Sequence, residues 1–210
     1  MLSLLFTNPL AFLISAIGLV VAITIHEFAH AWAADKLGDP TPRMQDRLTL
    51  NPLAHLDPIG TLMIFTVGFG WGKPVMFDPY NLKNPIKDAM LIALAGPASN
   101  IILAILLALV INFGGAFVPF LAFLGPLLYY TVFINVMLAI FNLIPIHPLD
   151  GGKILVGILP REWAEETQDF LSRYGFIILI LLILPIAPGG GSPVSLLISP
   201  IISFIMRLLI

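Results

Sequence analysis

Cysteine is absent from this chain of 210 residues, so no disulfide, thiolate metal ligand or cysteine nucleophile is available to it. Charge is almost as scarce. Asp, Glu, Lys and Arg together make up 10% of the residues, against about 25% in soluble domains, too few to cover a water-facing surface. Internal repeats and low-complexity linkers are missing as well, and no polar stretch is long enough for a soluble domain of about 50 residues. These absences exclude a soluble globular enzyme, a nucleic-acid binder and a disordered protein. What remains is hydrophobic: 59% of the residues, with a mean hydropathy of +1.00. The chain reads as an integral membrane protein, and its net charge of −2 selects no partner.

The apolar runs are continuous rather than alternating, which selects helices over a barrel. The expected fold is an all-α polytopic membrane protein with about five transmembrane helices, at roughly 8–34, 88–112, 120–146, 174–188 and 194–210. Residues 59–70 are apolar too, but a dozen helical residues rise only about 18 Å against a hydrocarbon core of about 30 Å. They are expected to re-enter or pack within the protein. Residues 68–86, rich in Gly, Pro and aromatics, read as a short β-hairpin on the cytoplasmic side. Residues 160–173 read as an interfacial helix, with Trp163 and Phe170 toward lipid and the acidic residues on a solvated face. The first apolar stretch lacks a basic leader and a small-residue cleavage site, so it is expected to be retained.

If 59–70 does not cross, all ten Lys and Arg fall on one side of the membrane. The positive-inside rule then places the N-terminus outside and the long loops in the cytoplasm.

Ionisable residues inside a span cost about 2.5–3.5 kcal/mol each on the insertion scale, so each demands a reason. The first span holds His26, Glu27 and His30 as H-E-x-x-H. Positions i and i+4 share one helix face, so both imidazoles can bind one metal. Glu27, about 100° round the helix, can reach a metal-bound water without being a ligand. Structural histidines bonded to neighbouring helices are the plainer reading. A catalytic zinc typically has three protein ligands, and Asp150 stands where Pro145 and Pro148 break a long apolar helix. It is the candidate third ligand, the alternative being an N-cap for the segment after it. The spacing of His30 from Lys36, and of Asp150 from Lys153, puts both pieces in the cytoplasmic half of the membrane.

HEFAH in one span, with Asn142-x-x-Pro145-x-x-x-Leu149-Asp150-Gly151 in a later one, resembles the site-2 protease family of intramembrane zinc metalloproteases. The loop DRLTLNPLAHLDPIGT and the span motif LAGPASN are similar to those of its compact prokaryotic members. The resemblance covers about residues 15–160. Two departures are that the first helix already carries HExxH and that His147 stands where the family pattern has proline. It implies a single membrane-embedded metalloprotease domain over 1–210, without a PDZ or CBS domain, its catalytic core at about 15–160 and its C-terminal helices at 174–210.

The resemblance further implies one Zn²⁺ per chain held by His26, His30 and Asp150, with Glu27 as the base. A His₂–carboxylate donor set independently suits zinc. It also implies a role for Asn142, whose amide could steady the oxyanion; an interhelical hydrogen bond is its other reading. Asn100 is a weaker candidate for the same role and reads more readily as helix packing, and His147 as a loop histidine bonded to backbone. His55 and Asp57 fit either a substrate loop or a turn returning the chain to the membrane. Expected partners are transmembrane substrate proteins and the lipid bilayer, with no nucleic acid and no soluble cofactor. The expected location is a prokaryotic plasma membrane. The rival reading is a non-catalytic metal-binding membrane protein or a divalent-metal carrier, but carriers usually show repeated halves.

Overall fold

The computed structural model describes residues 2–66, 70–114, 118, 121, 123–186 and 190–210. Nine α-helices are described: α1 (Leu2–Thr7), α2 (Pro9–Leu37), α3 (Thr41–Met44), α4 (Pro58–Thr66), α5 (Pro85–Leu109), α6 (Gly125–Asn142), α7 (Asp150–Ile158), α8 (Arg161–Ile183) and α9 (Pro193–Leu209).

The helix ends follow from local chemistry. Asn8 caps α2 through its side-chain oxygen, which accepts the Ala11 N–H at 3.0 Å, and Pro9 supplies the preset φ of a first helical position. Twenty-nine residues later Gly38 stops the helix at φ 108°, a left-handed conformation that glycine adopts without steric cost. At about 44 Å, α2 exceeds the hydrocarbon core. Helix α5 begins with Pro85 and runs apolar into a π-turn at Val110–Gly114.

Helices α2, α5 and α6 pack on one another, α7 lies against α5, and α9 closes on α6. Small residues permit the close approach. A Cβ on Gly18 of α2 would stand 3.2 Å from Thr131 Oγ1 on α6. Ala104, Val132, Val136, Ile202 and Met206 form the largest buried apolar cluster. Leu13, Ile17, Ile102 and Leu106 stay exposed on the outer faces, as lipid-facing residues do.

Among the described residues, three helices are long and apolar enough to cross a membrane: Pro9–Leu37, Pro85–Gly114 and Gly125–Asn142. The expected count of five is not reproduced. The apolar stretch at 174–188 is the second half of α8, whose first half is charged, and α8 ends at Ile183 before Pro185. Residues 187 and 188 lie outside the described residues. Helix α9 has 17 residues, a rise of about 25 Å. The segment expected to re-enter overlaps α4, nine residues long and about 14 Å in rise; residues 67–69 lie outside the described residues.

The hairpin expected at 68–86 does not form among the described residues. What is present is one antiparallel bridge, Leu56 to Gly72, with the Lys73 N–H donating to His55 O at 2.8 Å. The reason is a competition for amides. Pro74 and Pro79 have none, the Val75 N–H goes to Glu27 and the Asp78 N–H goes to Asp39. Side chains therefore take the donors a ladder would need.

Asp39 anchors the far end of this segment. Fully buried, its carboxylate accepts the Asp78 N–H (2.7 Å), the Asn81 amide (2.8 Å) and both the N–H and hydroxyl of Thr41 (3.0 and 2.6 Å). Burial pushes its pKa up, but these four donors outweigh it and hold the group below the ordinary carboxylate value. A depressed folded-state pKa stabilises the fold above the unfolded value, and that contribution is lost as pH falls through the folded one. Asp39→Asn is expected to destabilise the protein by about 1.5–3 kcal/mol at neutral pH. It should also flatten the loss of thermal stability between pH 5 and pH 3, read by melting in detergent.

Candidate metal centre

His26 and His30 project from one face of α2, their ring centroids 4.6 Å apart. Both are buried. Each has its Nδ1 engaged: His26 with Asn100 Oδ1 at 2.7 Å, His30 with the Ile92 carbonyl at 2.7 Å. A carbonyl can only accept, so His30 carries its proton on Nδ1. The same holds for His26, because the Asn100 amide nitrogen donates to Ala22 O (3.0 Å) and Asn135 Oδ1 (2.7 Å), leaving Oδ1 as the acceptor. Both Nε2 lone pairs are thereby aimed outward from α2.

They converge on Asp150, the first residue of α7. Its Oδ2 lies 3.1 Å from His26 Nε2 and 3.3 Å from His30 Nε2, yet it is buried and makes no hydrogen bond. Three lone pairs facing one another away from water repel. One bound cation would satisfy all three at once. Ligands held tetrahedrally at about 2.0–2.1 Å from zinc are roughly 3.3 Å from one another, and the distances to Asp150 match. All three ligand atoms lie within 4.8 Å of each other. Two imidazoles and one carboxylate, with a position left for water, form a catalytic zinc's donor set.

Helix α5 forms the wall behind the imidazoles. A Cβ added to Gly96 would fall 2.5 Å from His30 Nε2 and 2.7 Å from His26 Cε1, so only glycine leaves room for the rings. One turn on, Asn100 reaches His26. Asn100 and Asn135 are fully buried, and Asn135 in turn donates to Thr131 O at 2.8 Å. This polar chain ties α2, α5 and α6 together behind the candidate ligands. Asn100 therefore does more than the packing role expected from sequence. Gly96 and Asn100 share a helix face at i and i+4, the signal that marks them in LAGPASN. Asn100→Leu is expected to lower zinc affinity by about 10–100-fold, measured by competition with a chelator of known affinity.

Glu27 lies beside the pair, its carboxylate largely buried. Its Oε2 accepts the Val75 N–H at 3.1 Å, and the Arg47 guanidinium stands 3.8 Å away. Arg47 does not stand out in the sequence, because a lone loop arginine carries no motif.

Asn142, at the end of α6, donates its amide to Leu138 O at 3.0 Å on its own helix. His55 is fully buried and pairs through Nε2 with Thr49 O at 2.7 Å. Burial holds its pKa down, with the Arg47 charge adding to the effect. Asp57 caps α4 by accepting the Gly60 N–H at 2.7 Å, which favours the turn reading for this loop. His147 is exposed, and its backbone packs closely against Gly175.

The profile of peptidase family M50 matches residues 118–182, a stretch that includes Asp150 but not the HExxH helix. The whole-chain likenesses are broader. The chain is 41% identical over 172 residues to YwhC of Bacillus subtilis, covering 79% of this chain and 78% of that one. It is 32% identical over 187 residues to Rip2 of Mycolicibacterium smegmatis, covering 82% and 67%. Both relatives bear provisional zinc-metalloprotease names. Zinc metalloprotease MJ0392 of Methanocaldococcus jannaschii is 29% identical over 183 residues, which is 84% of this chain but 44% of that longer protein. No solved structure matches. The converging donors and these likenesses agree, and the chain belongs to peptidase family M50, the site-2 protease family of membrane metalloendopeptidases.

Proposed function

We propose that this protein is an intramembrane zinc protease that hydrolyses peptide bonds within or beside the transmembrane segments of other membrane proteins. The observation that carries the reading is the buried convergence of His26 Nε2, His30 Nε2 and Asp150 Oδ2, in a chain whose described residues include three membrane-length apolar helices. These three side chains hold one Zn²⁺ per chain. When bound, zinc acidifies a water and polarises the scissile carbonyl.

The protein's own groups do the rest. Glu27 accepts the water's proton and returns it to the leaving amine. The Asn142 amide, at the end of α6, donates to the substrate carbonyl as charge builds on it. Helix packing around the Asn100–Asn135 chain excludes water behind the ligands and fixes both imidazoles. A substrate helix must be unwound before its amide can be cut, and the unwound strand passes beside 73–77, where Val75 already reaches Glu27.

The N-terminus lies outside and the site in the cytoplasmic half of a prokaryotic plasma membrane, an orientation supported by the one-sided basic residues. The whole chain acts as one membrane-embedded domain, with the bilayer and single-span proteins as its partners. A metal carrier has no use for a carboxylate beside the ligands, and no repeated halves are present in the sequence.

The test is cleavage of a panel of single-span proteins in liposomes, with product masses read by mass spectrometry. The expected result is a cut inside or next to the span, lost on zinc chelation and restored by zinc. Cuts confined to soluble tails, or activity indifferent to chelation, would contradict the reading.

A further inference from the structure

Among the described residues, Arg47 is the one buried Lys or Arg, and burying a guanidinium demands partners. Two carbonyls accept its hydrogen bonds, a carboxylate faces it at ion-pair distance, and its Nε stays buried without a partner. Nη1 donates to Ala54 O at 2.6 Å, Nη2 donates to Lys73 O, and Nη2 stands 3.8 Å from Glu27 Oε2. That oxygen also takes the Val75 N–H, two residues beyond the carbonyl Arg47 holds. The two side chains are 4% and 13% exposed, so their attraction is little screened by water.

We propose that Arg47 is a positioning residue for the Glu27 carboxylate. The loop carbonyls fix the guanidinium. The guanidinium fixes 73–75, and with it the Val75 N–H. Charge and amide together hold Oε2, so the carboxylate cannot swing away and keeps one orientation toward the scissile bond. The inference rests on the reading of Glu27 as the base, and it predicts that Arg47 acts through Glu27 rather than as a staple of loops alone.

Two measurements on the zinc-loaded full-length protein separate these roles. The first is a thermal cycle in detergent with Arg47→Met, Glu27→Gln and the double variant. Arg47→Met strands the Glu27 charge, and Glu27→Gln relieves it. The double variant should therefore melt at least about 3 °C above the additive expectation, for a chain in which 1 kcal/mol moves the midpoint by about 2–4 °C. A pure staple gives additivity within about 1 °C.

The second measurement uses a fluorogenic single-span peptide in phosphatidylcholine vesicles, chosen because the wild type cuts it and Glu27→Gln does not. Arg47→Met should lower kcat by about 100-fold with KM within threefold and one zinc retained. Arg47→Lys, which keeps the charge, should recover at least about tenfold of that loss. Additive melting, a loss confined to KM, or Arg47→Lys no better than Arg47→Met would each overturn the proposal. Should Arg47→Met not fold, Arg47→Gln replaces it in both measurements with the same expectations. If the wild type cuts no peptide, the protease reading fails, and the thermal cycle alone still decides whether Arg47 and Glu27 are coupled.

Discussion

Glu27→Gln is expected to lower peptide cleavage by about 10³–10⁴-fold while one zinc per chain stays bound. The size follows from what general acid–base catalysis contributes, about 10²–10⁴-fold, and from the double duty proposed for this carboxylate in taking and returning one proton. Retention of zinc follows from the donor set, which does not include Glu27. Glutamine keeps the shape and can still accept the Val75 N–H, so that contact should stay in place. Single-turnover cleavage in liposomes and metal analysis of the same preparation check both halves. More than a tenth of wild-type activity in the variant would remove Glu27 from the role of base.

Gly96→Ala should be nearly as damaging, through the metal rather than the base. The added Cβ would lie 2.5 Å from both Cε1 and Nε2 of His30, well inside van der Waals contact. Neither side can yield easily. The imidazoles are pinned through Nδ1 to Asn100 and Ile92, and Asn100 and Ile92 belong to the same helix as Gly96. Loss of an outer hydrogen bond to a ligand costs about 10–100-fold in metal affinity, and displacing the ring itself should exceed that. Zinc binding is expected to fall by more than about 100-fold, with cleavage falling alongside. Gly125→Ala is the control, since a Cβ there meets nothing within 4 Å. Near-normal zinc affinity in Gly96→Ala would mean that α5 is not the wall of this site.

Much of the candidate site is legible in the sequence because its residues are written locally. His26 and His30 are one helical turn apart, so the pattern alone places them on one face. Asp150 is far away in sequence, and its reading depended on the Pro145–Pro148 break that ends α6 and turns the chain into α7. Asn100 was read as packing, since one buried amide in an apolar helix looks alike whether it bonds a carbonyl or a ligand histidine. Only the juxtaposition of α2, α5 and α6 reveals the difference.

The segment after Gly70 shows the opposite failure. Its Gly and Pro punctuation suggested a hairpin, but its amides at Val75 and Asp78 are claimed by Glu27 and Asp39. Those carboxylates lie 48 and 39 residues earlier, where local turn chemistry gives no warning of them. Span counting failed for a simpler reason. Apolar runs show which residues avoid water but not where a helix starts, and α8 starts at Arg161, in charged sequence.

The most direct test of the account is an anomalous difference map from crystals of the zinc-loaded protein, collected on both sides of the zinc edge. The account predicts a single strong zinc peak about 2.0–2.2 Å from His26 Nε2, His30 Nε2 and an Asp150 carboxylate oxygen, with Glu27 outside the coordination shell. A zinc peak elsewhere, or Glu27 in place of Asp150 as the third ligand, would contradict it.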